Sequence, residues 1–330
     1  MTRLALVLGL TALGAACGAR QPAVPPEPAP RPATVAQAEV VPAAPPVSNA
    51  EPIAALEPEA DTSRTRRAFR AILDAAAAQG VASWPYGQIV QWTGEQLLGR
   101  PYVAGMLDAP ATETLVVDLT AFDCVLYIEN VLAISRMIAL GQTDYADYAA
   151  GVQALRYRGG ALDGYCSRLH YFSEWILDNG SRGTLSNITQ SIGGERLDKR
   201  LTFMGEHRDA YPKLTSDETY DCIVDMEAAL ASAELYYVPQ DRIADVYGAL
   251  QPGDIIATAT SIGGLDVTHT GFVHKTADRT GFMHASLSSN RVKISDDLQS
   301  YVQGIKSQIG VVVARPLDPR PAPAAAPTQG

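Results

Sequence analysis

Apolar residues at positions 125, 126, 128, 131, 132 and 134 recur on a helical period and predict one long buried helix over CVLYIENVLAISRMIAL, beginning at Cys124. Upstream, SRTRRAFRAILDAAAAQG reads as a helix with Thr62 as its N-cap and Gly80 as its stop. YGQIVQWTGEQLLG reads as a second helix that leads into RPYVAG. The pattern then shortens: ETLVVDL is a β-branched run that predicts a strand. Further helices are predicted at 144–156 and 168–178, and from PGDIIATAT to IGVVVARP the chain turns β-rich, with Gly and Asp at its turns. Helices first and an antiparallel sheet afterwards predict an α+β fold.

Both ends fall outside this patterning. Residues 18–61 are mostly Pro, Ala, Glu and Val, which cannot build a core and favour extended segments. At about 3 Å per residue such a tether reaches on the order of 100 Å. PRPAPAAAPTQG repeats that character in the tail, 318–330, and leaves one folded domain at 62–317. The first residues, MTRLALVLGLTALGAACGAR, set an Arg before a short apolar run, small residues and Cys17. That is the order of an export signal, too short to remain as a spanning helix. Cys17 directly after GAA predicts a lipoprotein signal with Cys17 acylated, although Gly14 stands where such signals usually have Leu. The expected location is the periplasm, on an outer-membrane lipid anchor. A formal net charge of −10 and the lack of any basic run in the central region exclude nucleic acid as a partner. A monomer is expected.

Three of the five histidines fall in DVTHTGFVHKTADRTGFMHASLSSN. HTGFVHK and GFMHAS flank the turn-prone TADRT, a hairpin pattern. With the turn centred near Thr276–Ala277, His269 and His284 stand opposite each other. Residues five apart on a strand face opposite sides, so His274 is the outward, solvent-facing one. Cys124 is the candidate partner. At a helix start its thiol meets the positive end of the dipole, which lowers its pKa, and free N–H groups that could hold an oxyanion. The constellation would be Cys124 as nucleophile, His269 as general base and then acid, and His284 orienting His269. Spacing alone leaves three alternatives open: a buried core cysteine, structural histidines, or a Cys-His-His zinc site, though no CxxC or HxxxH spacing is present.

Several blocks, in order, resemble the bacterial N-acetylmuramoyl-L-alanine amidase-like family, taken as a branch of the NlpC-type papain-like cell-wall cysteine hydrolases. They are LLGRPYVAGMLD, ETLVVDLTAFDCVLYIENVLAI, SRLHYFSEWILDNGSRG, FMGEHRDAYPKL, GDIIATATSIGGLDVTHTGFVHK and FMHASLSSNRVKISD, spanning roughly 64–317. The resemblance implies a papain-like (NlpC-type) fold, with the nucleophile on Cys124 in FDC, the base on His269 in THTG and the orienting residue on His284 in MHAS. It implies metal-free hydrolysis of an amide in peptidoglycan, between N-acetylmuramic acid and L-Ala, with no cofactor. A stem-peptide endopeptidase on the same site and a non-catalytic peptidoglycan-binding lipoprotein are the rival readings. The chain departs from the usual pattern after the Cys, where VLY replaces a small hydroxylated residue.

Substrate contacts are expected from Tyr102, which could line the pocket or donate to an oxyanion. Arg168, His170, Tyr171 and Trp175 in SRLHYFSEW join a cation to aromatic faces, suited to carboxylates and sugar rings, or else fill a core. Glu129, Asp266 (or a turn former) and Ser286 complete the candidates. Cys166 and Cys222 are an even pair that an oxidising compartment could bridge, or two buried thiols.

Overall fold

The computed structural model describes residues 63–321 and the backbone of Glu51–Pro52. The export signal at 1–17 with Cys17, the rest of the tether and the tail beyond Pro321 lie outside the described residues.

The helical part comprises α1 (Arg64–Gln79), α2 (Tyr86–Glu95), α3 (Cys124–Leu140), α4 (Tyr145–Arg156) and α5 (Phe172–Ser181). The smaller α6 (Phe203–Glu206) and α7 (Asp217–Leu230) follow, and α8 (Leu298–Gln303) lies between late strands. Helix α3 is buried almost all round, from Leu126 to Ser135, so it is the core element rather than an amphipathic cover. Asp123 caps its start, Oδ1 accepting from Leu126 N at 2.8 Å, and Gly141 ends it in the left-handed region at φ 66°.

Strand β1 (Glu51–Pro52) pairs with β2 (Val116–Val117). The main sheet is antiparallel and eight-stranded. It holds β3 (Leu185–Asn187), β4 (Glu195–Arg196), β5 (Tyr236–Pro239), β6 (Ile255–Thr260), β7 (Val267–Lys275), β8 (Thr280–Ser286), β9 (Arg291–Ser295) and β10 (Gln308–Pro316). The strand order is β4-β5-β10-β6-β7-β8-β9, with β3 also on β10. Alternation along the strands divides the core. Phe272 and its partner Met283 face the cluster around α3, whereas Val273 and Phe282 face a second cluster with Leu298 and Val302 of α8.

The α+β class and α3 stand as the pattern predicts; several details differ. The N-cap of α1 is Ser63, whose Oγ accepts from Arg66 N, and Thr62 lies outside the described residues. Only Val116–Val117 of the expected strand 113–119 pairs, and side chains bind this run as well: Tyr157 Oη donates to Thr114 O and Arg156 Nη1 to Val116 O. The helix expected from 168 starts at Phe172, since Arg168 is bridged to Tyr157 in extended backbone. A disulfide joins Cys166 to Cys222 and ties α7 to the loop before α5. Within the expected tail, Arg320 donates to Ala82 O and Trp84 O.

Candidate active site

The β7–β8 loop is the four residues Thr276–Arg279, closed by Thr276 N donating to Arg279 O at 3.0 Å. The turn is therefore centred one residue later than expected, and one step past the Phe272–Met283 pair His284 lies across from Gly271. His269 and His284 are diagonal neighbours rather than opposite ones, and they still meet: His269 Nε2 and His284 Nδ1 are 2.7 Å apart. Glycine at 271 makes room for this, because a Cβ there would stand 2.6 Å from the Phe282 ring, which stacks on His284 at 4.6 Å. A β-bulge against β6 leaves Thr268 unpaired just before His269, the kind of irregularity that re-aims a side chain.

The row of hydrogen bonds continues through His284 Nε2 to Ser295 Oγ at 3.1 Å. The Tyr301 ring covers the pair, 4.8 Å from His284 and 6.1 Å from His269. Burial pushes His269 down to about 4, and burial with the neighbouring His269 pushes His284 down to about 2. Both rings are thus neutral near pH 7, so one tautomer is self-consistent for a base. His269 Nε2–H donates to His284 Nδ1, His284 Nε2–H donates to Ser295 Oγ, and His269 Nδ1 keeps its lone pair.

Cys124 begins α3 and packs on the same strand. Thr270 Oγ1 donates to Cys124 O at 3.2 Å, and Thr270 also hydrogen-bonds towards the thiol. The expected depression of the thiol pKa is not found: burial pushes it up to about 12, and the adjacent Asp123 carboxylate raises it further. The residue as a whole is half-buried and is the free cysteine among the described residues. No hydrogen bond joins its Sγ to either histidine among the described residues. Two phenols flank it: burial and the Cys124 charge raise the pKa of both Tyr102 and Tyr301. Thiol and imidazole are therefore a neutral pair, and an attack would transfer the proton during the step rather than before it.

Of the expected substrate residues, Tyr102 stays beside Cys124, and Ser286 lies two positions beyond His284 on β8. Ser286 is buried and engaged with the following turn, within 3.3 Å of Ser288 Oγ and accepting from Ser289 N. The others are structural. Glu129 is buried in an ion pair with Arg156 at 2.7 Å. Arg168 is forked onto Glu113 and also holds Asp108 and Leu107 O, which pins the loop before β2. His170 Nε2 donates to Tyr165 O at 2.9 Å, and burial lowers its pKa to about 3. Tyr171 is buried, its hydroxyl on Glu227 Oε1 at 2.6 Å, and Trp175 is buried against Phe172. Asp266 is buried and caps α5, accepting from Ser173 N at 2.7 Å. His274 is not free in solvent either; its Nε2 lies 3.0 Å from Glu95 Oε1.

Sequence reasoning missed Ser295, Thr270 and Tyr301. Ser295 had a signal, since a strand paired with MHAS places a residue diagonal to His284. Among the described residues no group of three or more His, Cys, Asp or Glu side chains is arranged to hold a metal ion.

Residues 92–311 match the family described as AmiA-like, N-acetylmuramoyl-L-alanine amidase-like. A crystal structure of an N-acetylmuramoyl-L-alanine amidase from Bacteroides uniformis is similar at 32% identity and TM-score 0.66, over 70% of this chain and 98% of that one. A Bacteroides fragilis protein named as a xylanase candidate is similar at 32% identity and TM-score 0.64, over 68% and 99%. A Legionella pneumophila protein shares the fold at 17% identity and TM-score 0.57, over 76% and 94%. No curated protein matches the chain.

Proposed function

The chain belongs to the AmiA-like, N-acetylmuramoyl-L-alanine amidase-like family, and from that premise we propose that it hydrolyses an amide bond of peptidoglycan by Cys-His-His catalysis on a papain-like, NlpC-type arrangement. The observation that carries the mechanism is the hydrogen-bonded row His269–His284–Ser295 on the sheet that packs on Cys124 through Thr270.

In the proposed reaction the Cys124 sulfur attacks the carbonyl carbon of the lactyl group of N-acetylmuramic acid as its proton passes to His269 Nδ1. The tetrahedral oxyanion is held by the Cys124 N–H at the start of α3 and by the Tyr102 hydroxyl. The carbon–nitrogen bond breaks, and His269 returns the proton to the departing L-Ala amine. Water, deprotonated by His269, then attacks the thioester and releases the lactyl carboxylate and the thiol. His284 keeps the His269 ring and tautomer fixed. Closure of the Cys124–His269 gap accompanies substrate binding, as apo sites often require.

The neutral, unlinked thiol favours a second reading, a wall-binding protein that keeps the groove without turnover. We further propose export and acylation at Cys17, with residues 18–61 as the tether that carries the domain to the wall.

The test is digestion of purified muropeptides beside Cys124→Ala, with products read by mass spectrometry. Free stem peptide beginning with L-Ala, absent from the variant, is expected. Cleavage inside the stem would make it an endopeptidase, and binding without product would favour the wall-binding reading.

A further inference from the structure

The segment 99–103 runs between the two halves of the candidate site. On one side it closes the outer edge of β9, the last strand of the main sheet. Gly99 N donates to Val292 O at 2.9 Å, Val292 N to Arg100 O at 2.8 Å and Tyr102 N to Asn290 O at 3.0 Å. On the other side Phe122 N donates to Pro101 O at 3.0 Å and Val103 N to Phe122 O at 2.9 Å. Phe122 stands two residues before Cys124. A backbone path thus leads from the β8–β9 turn, which follows His284 and Ser286, through Tyr102 to the start of α3.

The bond to Tyr102 depends on one backbone conformation. Asn290 closes the turn 287–290, its N–H donating to Leu287 O at 3.1 Å, and its φ is 51°. Among the described residues it is the one residue other than glycine in the left-handed region. Glycine enters that region freely and Asn with little strain, whereas a β-branched residue there is an outlier. Asn290 is exposed, so the turn rather than packing selects the residue type. The next residue, Arg291, already belongs to β9 and is bridged to Pro101. Driven to extended backbone, residue 290 would swing its carbonyl off Tyr102 N and leave the segment held there from the Phe122 side alone.

We propose that Asn290 is a positioning residue for Tyr102: its left-handed turn aims its carbonyl at Tyr102 N and so holds the Tyr102 hydroxyl where the oxyanion forms beside Cys124. The proposal rests on the peptidoglycan reading above, in which that hydroxyl is one of two donors to the oxyanion. Asn290 touches no reacting atom and acts through Tyr102. The oxyanion exists only once the thiol has attacked, so a displaced Tyr102 costs stabilisation of the transition state and not binding of the substrate. The loss then falls on kcat while KM holds.

The experiment compares the full chain with Asn290→Gly, Asn290→Val, Tyr102→Phe and Asn290→Val/Tyr102→Phe on muropeptides. Each variant is checked by thermal melt, and hydrogen exchange of the Tyr102 amide is read alongside. Tyr102→Phe is expected to lose about a hundredfold in kcat, the size of one oxyanion donor. Asn290→Val should lose about tenfold or more in kcat with KM within about twofold, and its Tyr102 amide should exchange faster. Asn290→Gly, free to adopt the same turn, should keep both near wild type. The double variant should be no slower than Tyr102→Phe, since both changes remove the same contact. Should Asn290→Val fail to fold, Asn290→Ala carries the same test with a smaller strain. Unchanged kcat or unchanged exchange in the folded variant would overturn the positioning role. So would additive losses in the double variant, or a loss in Asn290→Gly equal to that in Asn290→Val. In each of these cases cleavage by wild type leaves the hydrolase reading standing, whereas a wild type that cleaves no muropeptide would remove both.

Discussion

His269 and His284 share one hydrogen bond, and a single imidazole protonation breaks the pattern that leaves a base at Nδ1. Because burial holds His269 near 4, the base stays available well below the usual imidazole range. The expected kcat/KM profile on muropeptides is flat from neutral pH down to about 5, with its acid limb near 4 and not near 6.5. An acid limb at 6.5 would mean that the base is a solvated histidine. Stability moves the other way in the same window. The unfolded chain binds protons on both histidines below about 6.5 and the folded chain does not, so stability present above 6.5 is lost as pH falls towards 4. Ser295 acts on the same proton. Ser295→Ala removes the acceptor that selects the Nε2–H tautomer of His284, a hydrogen bond of about 1 kcal/mol, so kcat should fall roughly fivefold. Ser295→Asn, which restores an acceptor, should recover part of it. A drop in Tm with kcat unchanged would make Ser295 merely structural.

Asp266 links a strand entry to a helix start. Its carboxylate accepts from Ser173 N and Val267 N, so α5 is capped by a residue far away in sequence. Asp266→Ala should cost about 1–2 kcal/mol, a fall in Tm of a few degrees, while KM for muropeptides holds; a raised KM at unchanged Tm would restore it as a substrate contact. The contrast shows what this sequence could and could not reveal. Helix α3 and the β7–β8 hairpin were legible because their signals are periodic and local, a 3.6 repeat and two alternating runs around a polar turn. The fates of Glu129 and Arg168 were not. A charged residue on an apolar helix reads equally as ligand and as core ion pair until its partner is known, and the partners, Arg156 and Glu113, lie elsewhere in the chain. The hairpin centre was missed by one residue because TADRT accommodates either a wider or a tighter loop. That slip turned an opposite pair into a diagonal one without separating the two histidines.

At the scale of the molecule, a satellite of apolar side chains around Tyr171, Met204, Ile223 and Met226 packs α6 and α7 beside the main core. Such a small cluster buries little area by itself, and the Cys166–Cys222 bridge fastens it across a sequence separation of 56 residues. By loop-closure entropy a bridge of that span constrains the unfolded chain by roughly 4 kcal/mol. Cys166→Ser/Cys222→Ser should therefore lose a large part of the fold's stability, seen as a lowered denaturant midpoint, while the row of His269, His284 and Ser295 on β7–β9, which has no hydrogen bond to α7, is untouched. Activity per folded molecule should then persist at low temperature. The same partition predicts thiol chemistry: a chain without residue 17 should titrate one thiol in denaturant before reduction and three after it. Three thiols before reduction would mean that the bridge does not form in solution, and α7 would have to be held by its apolar contacts and by polar ones such as Tyr171–Glu227, Gly205 N–Glu227 and Tyr220–Gly205 O.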